Sequence, residues 1–291
     1  MGESVEILLA KDMGFCWGVR RAIDMMEKAA GKRGRVISLG PVVHNPQVVA
    51  ALAEKGVEVS SSIDGVSEAS VAITTHGVGP EVLGEARAKG LDVIDTTCPI
   101  VTRSQRWARK MAANGFTVIV YGDANHREVM GVLGWAGGRG VALTEDKLDS
   151  LPKELSARVA VISQTTQSPA RFAAFVGRLL KERLDEISEL RVINTLCGVA
   201  ASQQAAAQEL AQEVDVMLVI GGRNSANTCH LVEVCCEAGV ETYHIETAGE
   251  VEAEWLAGRE RVGITAGAST PDWAVEEVVR RVQELTRCAA S

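Results

Sequence analysis

The sequence predicts an α/β protein built from three similar small units, each with a parallel-type sheet. Short Val- and Ile-rich runs alternate with helix-like runs along the whole chain. The same succession of motifs returns with a period of roughly 100 residues, which indicates a triplicated domain and not a solenoid of short repeats. The strand-like runs are apolar on both faces, as expected for sheets that are covered on two sides.

Each unit begins with a strand-like run, a cysteine and a helix-like run. VEILLA precedes Cys16, LDVIDTT precedes Cys98, and LRVINT precedes Cys197. A thiolate at the start of a helix feels the positive end of the helix dipole, which favours metal binding. Three thiolates at matching positions predict a metal centre with one coordination position left open, which is typical of catalytic sites.

The second and third turns of each unit carry polar side chains. VISLG leads to His44, VIVYG leads to His126, and VMLVIGG leads to Ser225 and Asn227. A Gly-Val strand follows in each unit (GVEVSS, GVALTED and GVETYHIE), and the third polar turns read AITT-His76, SQ-Thr165-Thr166 and GA-Ser269. These turns follow strands of parallel sheets, whose carboxyl ends bind ligands. Hydrogen-bond donors at helix starts predict a phosphate or diphosphate site.

Five of the seven prolines support these helix starts, because proline is favoured in the first turn of a helix: Pro46, Pro80, Pro99, Pro169 and Pro271. The composition, with 46% hydrophobic and 23% charged residues, is that of a globular protein. The net charge of −8 disfavours nucleic-acid binding. The longest apolar run, VMLVI, is too short to span a membrane.

Cysteine usage and the amino terminus indicate a reducing cytoplasm. The seven cysteines are odd in number and widely spaced, unlike a secreted disulfide framework. MGESVEILLAKD lacks the basic and apolar regions of a secretory signal. The remaining cysteines have no counterparts in the other units, so we expect them to be structural, with Cys229 the least certain: Cys229, Cys235, Cys236 and Cys288.

The residues alone leave several functions open. Three cysteines hold either zinc or a four-iron cluster, and their wide spacing favours the cluster. The chain is then an iron–sulfur reductase or dehydratase acting on a small anion, a non-catalytic iron–sulfur redox sensor, or a zinc protein. Glu128, two residues after His126, is the nearby carboxyl that could supply protons, which argues against a sensor.

Taken in order, the motifs GFCWGV, VVHNPQVV, THGV, D-TTCP-V, H-EV-G, SQTTQS, NTLC, N-S-AN and TAGAS-PD closely resemble the LytB-type hydroxymethylbutenyl diphosphate reductases. The resemblance implies a trefoil of three α/β domains around one [4Fe-4S] cluster per chain, with one iron not ligated by protein. It also implies that the first strand joins the third domain. The domains are then 14–97, 98–195, and 196–291 plus 1–13. The family removes an allylic hydroxyl with two electrons and two protons, giving isopentenyl and dimethylallyl diphosphates.

The resemblance assigns roles to residues of this chain. Cys16, Cys98 and Cys197 would ligate the cluster, and Glu128 with Thr165 would deliver protons. The diphosphate substrate would be held by His44, His76, His126, Thr166, Ser225, Asn227 and Ser269. The family pattern has other residues where this chain has Ala200, Gln203 and Ala226.

A separate electron donor is expected, because no G-x-G-x-x-G fingerprint follows a strand. A ferredoxin- or flavodoxin-like protein fits this role. Its docking patch would be the basic residues of the first unit: Arg20, Arg21, Lys32, Arg33 and Arg35. We expect a monomer or weak dimer that binds neither nucleic acid nor membrane.

Overall fold

The computed structural model describes residues 5–66, 70–144, 147–148, 151 and 156–289. Residues 288 and 289 are described without their side chains, so the expectation for Cys288 lies outside the described residues. The strands are β1 (Glu6–Leu9), β2 (Val36–Leu39), β3 (Val57–Ser60), β4 (Ser70–Ile73), β5 (Val93–Asp95), β6 (Thr117–Tyr121), β7 (Gly140–Leu143), β8 (Arg158–Ser163), β9 (Glu189–Val192), β10 (Val216–Ile220), β11 (Glu241–Ile245) and β12 (Arg261–Ala266). The helices are α1 (Trp17–Arg33), α2 (Pro46–Glu54), α3 (Pro80–Ala88), α4 (Pro99–Ala113), α5 (Arg127–Ala136), α6 (Pro169–Arg183), α7 (Gly198–Ala211), α8 (Ala226–Glu237) and α9 (Asp272–Ala289).

The strands form three four-stranded sheets with the same layout. Their orders are β3-β2-β4-β5, β7-β6-β8-β9 and β11-β10-β12-β1, and every neighbouring pair is parallel. Strand β1, from the start of the chain, therefore takes the edge position that β5 and β9 take in the other sheets. The predicted α/β class with three similar parallel sheets is confirmed.

By their internal contacts, the residues group into two compact units. The first unit contains residues 1–20, 43–50 and 198–291, and it carries the sheet of β1, β10, β11 and β12. The second contains residues 21–42 and 51–197, and it carries the other two sheets. The domain boundaries after residues 13, 97 and 195 stay predictions.

Each central strand is buried on both faces, as the apolar runs predict. In β10, Val216, Leu218 and Ile220 pack with residues of α9, while Met217 and Val219 pack with residues of α7 and α8. Full burial of each such side chain contributes about 1.5–3 kcal/mol, so this five-residue strand is a main stabilising element of its sheet. Strand β6 repeats the alternation, with its successive side chains divided between two apolar clusters.

The helix starts follow the prolines. Helices α2, α3, α4 and α6 begin at Pro46, Pro80, Pro99 and Pro169, and Pro271 immediately precedes α9. The prediction from proline positions is confirmed at all five places, since the first residues of a helix need no N–H partner within it. No helix in the described part of the chain has the length and apolar character needed to cross a membrane.

Candidate functional site

One backbone hydrogen bond anchors each predicted ligand cysteine, and it recurs in all three sheets. The amide of Cys16 donates to the Ala268 carbonyl at 3.1 Å, that of Cys98 to Thr75 at 3.0 Å, and that of Cys197 to Thr165 at 2.8 Å. Each accepting residue lies directly before a predicted polar residue, namely Ser269, His76 or Thr166. In each repeat, therefore, the third polar turn fixes the turn that carries the cysteine.

The three predicted ligand cysteines share features of metal-binding thiols. Cys16, Cys98 and Cys197 are half-buried thiols that form no disulfide, and each lies at the start of a helix. The Cys16 Sγ accepts the Val19 N–H at 3.4 Å, so the first turn of α1 already stabilises negative charge on this sulfur. In contrast, burial raises the pKa of Cys235 to about 12, which fits a structural thiol.

Three predicted substrate residues lie in the first unit, at the carboxyl ends of β10 and β12. Ser225 caps α8, and its Oγ accepts the Thr228 N–H at 3.4 Å. Asn227 and Ser269 are more than nine-tenths buried. Within the described residues, Asn227 Oδ1 and Ser269 Oγ have no hydrogen-bond partner. Buried polar atoms of this kind cost free energy unless a ligand or a water satisfies them, so we expect one or the other to contact them.

His44 also belongs to the first unit, in the turn before α2. Its carbonyl oxygen would lie 2.0 Å from a Cβ placed on Gly222, so only glycine lets the two turns pack together. The side chain of the following residue, Asn45, caps α2 by accepting the N–H groups of Gln47 and Val48. This cap fixes the helix start on which His44 lies.

Two predicted histidines contact each other in the second unit. The rings of His76 and His126 lie edge to face, with their centroids 5.4 Å apart. His126 caps α5, and its Nδ1 accepts the Glu128 N–H at 3.2 Å. That contact requires an Nδ1 without a proton, so the proton of the neutral ring is on Nε2. His126 is thereby set to donate a hydrogen bond through Nε2.

Glu128 is a buried carboxyl held by one residue. Its Oε1 accepts the Thr165 N–H at 2.7 Å, and its Oε2 lies 2.8 Å from Thr165 Oγ1. Burial raises the pKa of Glu128 to about 7, while the two contacts with Thr165 oppose the shift. A carboxyl with this pKa can hold and release a proton near neutral pH. Beside it, Thr166 Oγ1 accepts a hydrogen bond from Gln164 Nε2 at 3.2 Å.

The predicted residues are divided between the two units. The first unit contains Cys16, His44, Ser225, Asn227 and Ser269, and the second contains Cys98, Cys197, His76, His126, Glu128, Thr165 and Thr166. Sequence reasoning missed the carbonyl anchors, although Thr-Thr pairs mark two of the three anchoring turns, in TTHG and TTQS. It also missed the contacts of Gln203, for which the sequence holds no signal.

Comparisons with known proteins cover almost the whole chain. A family model described as LytB protein matches residues 7–283. The chain is similar to the 4-hydroxy-3-methylbut-2-enyl diphosphate reductase of Dehalococcoides mccartyi strain CBDB1, with 48% identity over 97% of this chain and 99% of that one. It is also similar to the enzyme of the same name from Geobacter sulfurreducens, with 46% identity over 97% and 98% of the two chains.

The chain is also similar to solved structures of reductases of this kind. One of an (E)-4-hydroxy-3-methyl-but-2-enyl diphosphate reductase, described as the terminal enzyme of the non-mevalonate pathway, is similar with a TM-score of 0.69 and 40% identity, covering 96% of this chain and 99% of that one. The Plasmodium falciparum E-1-hydroxy-2-methyl-but-2-enyl-4-diphosphate reductase is similar with a TM-score of 0.88 and 25% identity, covering 96% and 88%. The similarity in sequence and in fold thus extends over nearly full-length chains.

Proposed function

The chain belongs to the LytB protein family, and from that membership we propose that it is a 4-hydroxy-3-methylbut-2-enyl diphosphate reductase of the non-mevalonate isoprenoid pathway. The reaction breaks the allylic C–O bond of the substrate. Two electrons and two protons enter, one proton ends on carbon and the other on the departing oxygen, and water leaves. The products are isopentenyl and dimethylallyl diphosphates.

The family is iron–sulfur dependent, and the cysteines of this chain fit such a group. Cys16, Cys98 and Cys197 are thiols at helix starts with anchored amides, and we propose that they hold one [4Fe-4S] cluster. When bound, a cluster with one iron not ligated by protein would supply electrons and a Lewis-acid position. A ferredoxin- or flavodoxin-like protein would deliver the electrons.

The diphosphate would be bound by neutral donors in place of arginine and lysine. We propose that His126 offers its Nε2–H, and that the buried Asn227 and Ser269 offer an amide and a hydroxyl. Neutral donors at helix starts favour an anion through the helix dipole as well as through hydrogen bonds. The other members of the proposed set are His44, His76, Thr166 and Ser225.

Within the structure, the observation that best supports this function is that Thr165 contacts both Cys197 and Glu128. Its carbonyl anchors the amide of Cys197, while its N–H and Oγ1 contact the two oxygens of Glu128. When Glu128 is protonated, Oε2 can donate to Thr165 Oγ1, and that hydroxyl can pass its own proton to the leaving oxygen. Thr165 thus links the proposed proton source to a proposed cluster ligand.

Anaerobic purification tests the proposal. We expect a brown protein with iron, acid-labile sulfide and turnover of the diphosphate alcohol to both products. Replacement of Cys16, Cys98 or Cys197 by Ser is expected to abolish the cluster absorbance, because each removes one thiolate ligand. The matched control is Cys236→Ser at the exposed neighbour of Cys235, which should leave the absorbance unchanged. A colourless protein that contains zinc, or a cluster that survives all three changes, would refute the proposal.

A further inference from the structure

We infer that Gln203 is a positioning residue that holds the Asn227 side-chain amide in one orientation and ties it to the turn that carries Cys16. The inference rests on the proposed diphosphate site, of which Asn227 is a member. Gln203 lies on α7 and is 2% exposed, and the contacts that carry the inference all lie within the first unit. Nothing in its position along the sequence predicts this role.

Gln203 makes two hydrogen bonds, and the donor and acceptor of each are fixed. Its Nε2 donates to the Gly14 carbonyl at 2.9 Å, and its Oε1 accepts from Asn227 Nδ2 at 3.1 Å. A backbone carbonyl can only accept, so the nitrogen of Gln203 must face Gly14. Its oxygen then faces Asn227, which must offer a nitrogen in return. One backbone atom therefore determines the orientation of both side-chain amides.

These two hydrogen bonds leave polar atoms of Asn227 available to bind a ligand. Its second Nδ2 hydrogen is not required by Gln203, and its buried Oδ1 has no partner in the described part of the chain. If the amide were reversed, two carbonyl oxygens would face each other, so Gln203 excludes the reversed state. A donor held in one orientation loses less conformational freedom when an anion binds. Gln203 would thereby raise the affinity of Asn227 for diphosphate without touching it.

The hydrogen bonds of Gln203 lead, on the side away from Asn227, to the turn before Cys16. Gly14 has φ +73°, in the left-handed region that favours glycine, and its N–H donates to the Ala266 carbonyl at 2.9 Å. The Gly14 carbonyl points to Gln203, so both polar groups of this residue are engaged. Gln203 therefore joins a proposed anion-binding side chain to the backbone two residues before a proposed cluster ligand.

A double-mutant cycle tests the inference with inorganic pyrophosphate, whose binding to the anaerobically purified protein is measured by calorimetry. We expect Asn227→Ala and Gln203→Met each to weaken binding by about three- to tenfold, the usual effect of one lost hydrogen bond. In the Asn227→Ala background, Gln203→Met should have no further effect, because its action passes through Asn227. Additive losses would mean that Gln203 is only structural, and the inference would be wrong.

The matched control is Gln208→Met, at an exposed glutamine on the same helix, which should bind pyrophosphate as the wild type does. A second variant, Gln203→Glu, tests whether Gln203 orients Asn227 even if Gln203→Met does not fold. A protonated carboxyl offers one donor and one acceptor, as the amide does, whereas a carboxylate offers acceptors only. Burial at this position raises the pKa of the new carboxyl above its ordinary value, so the affinity of Gln203→Glu relative to wild type should be close to normal at about pH 5.5 and reduced at about pH 8. A ratio that does not change with pH would contradict the inference.

The outcomes also separate this inference from the proposed function. If Asn227→Ala weakens pyrophosphate binding while both Gln203 variants bind normally, the diphosphate site stands and the inference alone fails. If Asn227→Ala itself binds like the wild type, the proposed diphosphate site is wrong, and the inference fails with it.

Discussion

At the scale of single residues, Glu128 shows how burial sets chemistry. Burial raises its pKa from the ordinary value of 4.5 to about 7, although two contacts with Thr165 favour the ionised form. Between these two pH values the folded protein keeps a proton that the unfolded chain has released. The contribution of Glu128 to the free energy of unfolding is therefore fully present below pH 4.5 and is lost as the pH rises through 7. The same shift makes the carboxyl a usable acid near neutral pH.

Replacing Glu128 by Gln is expected to separate binding from turnover. The amide is nearly isosteric and still meets Thr165, but it has no proton to give, so turnover should fall by about 10²–10⁴-fold. Pyrophosphate binding and the cluster absorbance should remain. Steady-state kinetics with a chemical reductant measure the first effect, and calorimetry and absorbance measure the second. Turnover within about threefold of wild type would remove Glu128 from the mechanism.

The same variant has a predicted stability profile. Wild type should lose up to about 3 kcal/mol of unfolding free energy relative to Glu128→Gln as the pH rises from about 4.5 to about 7. Thermal unfolding across this range tests it, with Glu54→Gln on the exposed face of α2 as the control for a carboxyl at the surface. A constant difference between wild type and Glu128→Gln at every pH would show that Glu128 carries no shifted proton.

At the scale of elements, the turns at the carboxyl ends of the strands position the residues of the proposed site, and one close contact illustrates this. Gly222 follows β10, and a Cβ there would come within 2.0 Å of the His44 carbonyl oxygen. The conflict is with backbone and not with a flexible side chain, so the turn of His44 would have to move. Small residues at such positions let two backbone segments approach.

We therefore expect Gly222→Ala to destabilise the protein by about 1–3 kcal/mol, the usual effect of overpacking. It should also weaken pyrophosphate binding, since His44 would shift. Thermal unfolding and calorimetry measure the two effects. The control is Gly177→Ala inside α6, where nothing lies within 4 Å of the added Cβ and helix propensity improves. If both variants are equally stable, the contact at Gly222 is unimportant.

The elements themselves were largely predictable, and the contacts between their turns were not. Apolar runs predict β6 and β10, and the prolines predict helix starts, because both signals are local. The place of β1 beside β12 depends on pairing between distant segments, and composition or periodicity does not reveal it; only the family resemblance implied it. The hydrogen bonds of Gln203 depend on where a helix face meets a turn, which also requires the folded chain.

At the scale of the whole molecule, the predicted basic docking patch is largely neutralised. Arg20 Nη2 donates to both carboxylate oxygens of Asp272 at 3.0 Å, and Arg35 Nη2 contacts Glu58 Oε2 at 2.6 Å. Arg33 pairs with Asp92. These pairs are exposed to solvent and add little to stability, but they reduce the field that an acidic partner would meet. The net charge of −8 also opposes the approach of an acidic partner.

Releasing these arginines should therefore speed reduction by an acidic ferredoxin. In a variant that combines Asp272→Asn, Glu58→Gln and Asp92→Asn, the second-order rate constant at low salt should rise by about three- to tenfold. The gain should vanish at high salt, where exposed charges are screened. Stopped-flow measurement of cluster reduction tests this.

The control for net charge neutralises three exposed carboxylates elsewhere, Asp185, Glu213 and Glu254. An equal gain in that control would mean that overall charge, and not the basic patch, governs the encounter. No gain in either variant would remove the patch from consideration as a docking surface for the electron donor.

The carbonyl anchors of the three cysteines also impose an order on biogenesis. Thr75 and Thr165 precede Cys98 and Cys197, so these anchors have already been synthesised when each of those thiols leaves the ribosome. Cys16 emerges first of the three, yet its anchor is Ala268, close to the other end of the chain. Chains are made from the amino terminus, and contacts between distant segments form late. The first of the three cysteines to be translated is therefore the last to be held in place, and we expect the proposed cluster to be inserted only after translation has passed Ala268.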